Sequence, residues 1–161
     1  MLIMKKIYNN IIPFQGYKAM TVWPVIFVRS DARERFVIVD ENHESIHGAQ
    51  QKEMLVVGAV ITIILFLLGC GWWSLLALPV FFWWYIIEWF MRFLMYSSQA
   101  EAYRNISFEQ EAYINESDFH FLSKRKCFGW VRYIRLKTYI KNTPDYRNSM
   151  ERTTDLEMDN F

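Results

Sequence analysis

His43 and His47 stand four residues apart with Glu44 between them, in the run His43-Glu44-Ser45-Ile46-His47. On a helix, side chains at this spacing leave the same face one turn apart, so both imidazoles can bind one Zn²⁺. The intervening glutamate can serve as general base for a zinc-polarised water. The pattern H-E-x-x-H therefore predicts a hydrolytic zinc centre, with His43 and His47 as ligands and Glu44 as the catalytic residue. Such a centre needs a third protein ligand and one position open to water. The chain offers one other histidine, His120, and downstream carboxylates at Glu101, Glu109, Glu111 and Glu116.

These residues must be held by elements that the sequence also signals. Asp40, Glu41 and Asn42 precede the motif and suit a helix start. A metal helix is expected over 43–53, with Gln50 and Glu53 on roughly the face of the two histidines. It has no stop signal before an apolar run. From Met54 to Ile87 there is no Asp, Glu, Lys, Arg or His. One membrane span needs about 20 residues, and this run is too long for one. Gly69-Cys70-Gly71 at its centre is a helix break. Two spans are therefore expected within 52–92, Lys52–Leu68 and Trp72–Arg92, joined by a tight turn. Pro79 should kink the second. Trp72, Trp73, Trp89 and Tyr96 fall near the interfaces, where amphipathic rings are favoured. The metal would lie in the headgroup region, since seven residues from His47 to Met54 rise about 10 Å.

The remaining segments read as follows. Residues 1–18 look irregular. Ala19–Arg29 and Arg35–Asp40 are rich in β-branched and aromatic residues and predict a β-hairpin over 19–40. A polar helix is expected over 101–122. Residues 124–141 form a basic, aromatic segment suited to anionic lipid or to packing on the domain. The polar tail 142–161 should fray. Glu88 and Arg92, four apart, suit an ion pair facing the bundle, or a carboxylate opposite Glu53 or a ligand histidine.

The order of motifs resembles the Glu-ligand zincins, the gluzincin branch of zinc metallopeptidases. H-E-x-x-H is followed, after membrane helices, by E-x-x-A on a second helix, as in the membrane-embedded members such as the CAAX-type proteases. The resemblance covers about residues 19–116. It implies Glu109 as third ligand, with Ala112 in the small-residue position. The family's Asp four residues after the ligand falls on Tyr113, so that part of the pattern is absent. A second register makes Glu111 the ligand, with Asn115 four residues on. The two side chains point about 200° apart on a helix, so only one can face the metal; Glu109 is preferred. The run His43, Glu44, His47, Gln50, Glu53 also resembles H-E-x-x-H-x-x-Q-x-x-E in a group of small bacterial membrane proteins. Zincins bind extended peptide along an edge strand, a role open to Ala19–Arg29 or Arg35–Asp40. Oxyanion or supporting roles fall to Tyr103, Arg104, Tyr113, His120, Gln50 or Glu53.

The expected fold is thus mainly α and integral to a membrane: one zincin-like domain whose partners are the bilayer and a peptide substrate. A net charge of +1 gives no reason to expect nucleic acid. The turn between the spans has no Lys or Arg, which places both termini in the cytoplasm. The N-terminus lacks the pattern of a signal peptide. Cys70 and Cys127 fall at opposite ends of the hairpin and should not pair. Two other readings stand beside the enzyme: a zincin frame without catalysis, and a closed four-ligand structural zinc site that adds His120.

Overall fold

The computed structural model describes residues 4–134, which are mainly helical with one small mixed sheet. Strand β1 (Lys5–Asn9) runs parallel to β3 (Val25–Arg29), and β2 (Ala19–Val22) lies antiparallel to β3, in the order β1-β3-β2. Thr21 pairs with Ile26 and Ile7 with Phe27. Ile26 and Val28 alternate onto one face of β3 and bury with Met4.

Three expectations about this region change. Ala19–Arg29 is two strands, folded back at Trp23-Pro24. Pro24 has no N–H for a ladder and takes the turn instead. Arg35–Asp40 is not a strand: Ser30–Arg35 is a 3₁₀ turn, and helix α1 (Ile38–Leu65) already begins at Ile38. The Asp40 carboxylate accepts the Val37 N–H at 2.8 Å. That cap satisfies a donor the first turn would leave unpaired, and it overrides the strand preference of the β-branched run. Residues 5–9, expected to be irregular, form β1.

Helix α1 carries the motif and continues without interruption into the apolar run. Its sides are buried from Asn42 to Gly48. Beyond Met54 it exposes Leu55, Val56, Val60, Ile63 and Ile64. The helical stretch Ile38–Ala77 is long and apolar enough to cross a membrane. The chain reverses at Gly69 and Gly71, whose φ values of +88° and +53° suit residues without Cβ. The return arm is not the single helix expected over Trp72–Arg92. It is a 3₁₀ segment, Gly71–Ala77, followed by α2 (Val80–Tyr96). Pro79 separates the two because its ring and missing N–H break the helical ladder. The arms touch closely at Gly58, where a Cβ would lie 2.6 Å from the Ala77 carbonyl oxygen and 2.7 Å from that of Leu78.

The inner face of α2 packs Phe81 against Met54, Ile106, Phe108 and Trp130. Its outer face exposes Ile86, Ile87, Phe90, Met91, Leu94 and Met95. The polar helix expected over 101–122 is three: α3 (Gln99–Arg104), α4 (Ser107–Asn115) and α5 (Phe121–Lys124). The first break follows from two side chains. Asn105 donates to the Glu101 carbonyl at 2.7 Å, and Glu88 accepts both the Ser107 N–H at 2.9 Å and its hydroxyl at 2.6 Å. Glu88 thereby caps α4, and Arg92 neutralises it from one turn away at 2.6 Å. The pair is an anchor for α4; its partners include neither Glu53 nor a ligand histidine. The basic segment ends, among the described residues, in a 3₁₀ turn over Gly129–Tyr133. Residues 135–141 of that segment and the tail 142–161 lie outside the described residues. Cys70 and Cys127 are free and exposed.

Candidate metal centre

Helix α1 projects His43 and His47 toward α4, which α2 holds in place through Glu88. Here His43, His47 and Glu109 converge, and this group could hold a metal ion. His43 Nε2 and His47 Nε2 lie 3.1 Å apart. Glu109 Oε2 is 3.5 Å from His43 Nε2, and Oε1 is 3.4 Å from His47 Nε2. Donors bound tetrahedrally at about 2.0–2.1 Å would lie about 3.3 Å from one another. The three distances are each close to that value, with a different Glu109 oxygen beside each imidazole.

The supporting bonds fit the same chemistry. His43 Nδ1 contacts Glu116 Oε2 at 2.9 Å, and His47 Nδ1 contacts Gln50 Oε1 at 2.8 Å. Both rings are thus tied on the outer nitrogen to an oxygen acceptor, which leaves Nε2 toward the centre. Metal-binding imidazoles use this arrangement. Tyr85 on α2 donates its hydroxyl to Glu109 Oε1 at 2.9 Å. The other oxygen, Oε2, is buried and has no hydrogen-bond partner among the described residues. A buried carboxylate oxygen without a donor is costly, and a cation at the triangle would satisfy it.

The electrostatics follow from burial and proximity. Burial disfavours the charged form of His43, but the neighbouring carboxylates of Glu109 and Glu116 outweigh it and push its pKa up to about 10. His47 is also raised, burial again being overcome by Glu109. Burial works against ionised Glu109, yet the two imidazoles hold it well below the usual carboxylate range. Without metal, these shifts favour a protonated cluster, with imidazolium groups beside an ionised Glu109.

The other expected residues separate cleanly. Glu111 is fully buried but points elsewhere, accepting from Gln50 Nε2 at 2.9 Å and from Arg125 Nη2 at 2.9 Å. Glu53 is paired with Arg125. Tyr113 sets its ring edge-on to His43 with centroids 4.7 Å apart. Tyr103 and Tyr113 have hydroxyls whose pKa values lie well above the ordinary range, first through burial and then through the Glu109 charge. Both therefore remain protonated donors at neutral pH. Arg104 ends α3, close enough to act on Tyr113 electrostatically. His120 is exposed at the start of α5 and is not part of the cluster.

Glu44 is buried and faces β2, with its Oε2 2.7 Å from the Thr21 hydroxyl. Together with His47, Glu109 and Tyr103 it lines a cavity of about 340 Å³ whose other walls include Phe14, Phe82 and Ile86. Gln51 also lines it, bonding the Thr21 carbonyl at 2.7 Å and the Trp23 N–H at 2.8 Å. Sequence reasoning missed Tyr85, Thr21, Gln51 and the role of Glu116. None sits in a motif, and each reaches the site only through tertiary contact. No protein-family model matches this chain, and neither does any curated protein or solved structure compared with it.

Proposed function

We propose that the chain is a membrane-associated zinc metallopeptidase acting at the cytoplasmic surface of a bilayer. The observation that carries this reading is the donor group His43–His47–Glu109, two of whose members, His47 and Glu109, line one cavity with Glu44. Two imidazoles and a carboxylate are the donor set of several catalytic zinc sites. When bound, zinc supplies Lewis acidity, acidifying a water and polarising a carbonyl. Glu44 takes the attacking water's proton and passes it to the leaving amine. Thr21 fixes one Glu44 oxygen and so orients the other for that transfer. Tyr103, on the cavity wall and protonated, is placed to donate to the developing oxyanion. An extended peptide pairs along the Ala19–Met20 end of β2, since Gln51 already occupies the edge at Thr21 and Trp23.

The membrane part of the reading rests on exposed apolar surface. Soluble monomers rarely expose contiguous apolar patches larger than a few hundred Å². Here Leu67 and Leu68 at the turn are 79% and 73% exposed, and Leu94 on α2 is 65% exposed. We read the apolar part of α1 beyond Lys52 and the return arm as two spans, with both termini on the cytoplasmic side. Tyr85 touches Glu109, and the exposed apolar face of α2 continues beyond Tyr85 to Met95.

A second reading is a metal-binding membrane protein without catalysis. Tyr113, which stands where the resemblance implies an aspartate, favours it. Purified wild type and Glu44→Gln separate the two. The peptidase reading expects equal zinc in both and at least about 10²-fold slower peptide cleavage in the variant. Equal zinc with no cleavage by either supports the second reading.

A further inference from the structure

Arg125 lies far from the donor triangle in sequence and does not touch it, yet an unbroken chain of hydrogen bonds joins them. Its guanidinium pairs with Glu53 and donates Nη2 to Glu111 Oε2 at 2.9 Å. The same Glu111 oxygen accepts from Gln50 Nε2 at 2.9 Å. Gln50 Nε2 also donates to the Phe108 carbonyl at 3.0 Å. Gln50 Oε1 meets His47 Nδ1 at 2.8 Å.

Each link constrains the next. A glutamine amide has a donor end and an acceptor end. Two acceptors, Glu111 Oε2 and the Phe108 carbonyl, claim the donor end of Gln50. Its oxygen must therefore face His47, and His47 must donate from Nδ1. A neutral imidazole that donates from Nδ1 carries its lone pair on Nε2. Nε2 is the atom 3.1 Å from His43 Nε2 and 3.4 Å from Glu109 Oε1. A flipped amide would point N–H groups at Nδ1, move the imidazole proton to Nε2 and block the donor. Glu111 is fixed through Oε2, while its Oε1 has no hydrogen-bond partner among the described residues. It is fully buried, Arg125 neutralises it, and a Cβ at Gly129 would clash with its Oε1.

We propose that Arg125, Glu111 and Gln50 form a positioning relay that sets the tautomer of His47. Glu111 is then the fixing group for the neighbouring ligand rather than a ligand. The relay deepens the metal-centre reading and rests on it for its purpose, but the tautomer of the neutral ring is a property of the metal-free protein.

The test is ¹⁵N NMR of the His47 ring in metal-free protein, at a pH high enough to neutralise it, alongside zinc affinity by competition with a chromophoric chelator. Wild type should carry the ring proton on Nδ1. Gln50→Leu should lose that preference and bind zinc about 10–100-fold more weakly, the cost of removing such a partner. Arg125→Met should weaken zinc in the same direction, with Arg125→Lys recovering most of the loss. A wild-type ring protonated on Nε2 overturns the relay, even if no variant folds. So does a Gln50→Leu protein whose tautomer and zinc affinity match wild type. An Nδ1 proton in a wild type that binds no zinc leaves the relay standing and removes the metal reading instead.

Discussion

Glu109 is the residue on which the chemistry turns. Its Oε1 is held by Tyr85 and lies 3.4 Å from His47 Nε2, while its Oε2 is buried 3.5 Å from His43 Nε2 without a hydrogen-bond donor among the described residues. Tyr85→Phe should leave both oxygens without a donor and lower zinc affinity about tenfold, read by chelator competition; affinity unchanged within twofold would exclude the role. The protonated cluster also fixes a pH dependence. The folded-state pKa of His43 is raised to about 10. Its contribution to the stability of the metal-free protein is complete below the ordinary histidine range and is lost as pH rises through about 10. Glu109 is depressed, so its contribution is present above the ordinary carboxylate range and lost as pH falls toward its folded value. Zinc must displace the protons on the imidazoles. Titration calorimetry at pH 7 in buffers of different ionisation enthalpy should show protons released on binding. An enthalpy independent of buffer would contradict the protonated cluster.

The elements that present these residues were unevenly legible in the chain. His43, Glu44 and His47 announce themselves by spacing, and the Gly69–Gly71 reversal by two glycines in an apolar run. Strand β1 does not, because its pairing with β3 is non-local. Arg35–Asp40 misled because strand preference is local and the Asp40 cap on the Val37 N–H is decisive. The break that creates α4 was hidden for a related reason. Its cap, Glu88, comes from another helix and reads in sequence only as half of an ion pair with Arg92. Glu88→Ala removes that cap and strands Arg92, already buried with one nitrogen that has no partner among the described residues. Breaking such a pair costs about 3–5 kcal/mol. Thermal unfolding in detergent should show a markedly lower midpoint, with weaker zinc binding because α4 carries Glu109. An unchanged midpoint would exclude the anchor.

At the level of the whole molecule, the two cysteines report on the arrangement. Cys70 lies at the reversal and Cys127 beside the metal end, both exposed. With two spans and cytoplasmic termini, a membrane-impermeant maleimide should label Cys70 but not Cys127 in intact cells, and both after the membrane is opened. Labelling of Cys127 alone would invert the orientation, and labelling of both in intact cells would exclude the hairpin as a membrane crossing. The long apolar helix was readable as composition. Its packing was not, because the apolar outer face of α2 continues past the level of the site, and depth depends on how the arms dock.

The most direct measurement is the zinc stoichiometry of purified wild type beside Glu109→Gln, Glu111→Gln and His47→Ala. The arrangement His43–His47–Glu109 predicts one zinc per chain in wild type, retention in Glu111→Gln, and loss in His47→Ala and Glu109→Gln. A wild type that takes up no zinc, or a Glu109→Gln protein that keeps it while Glu111→Gln does not, would contradict the site.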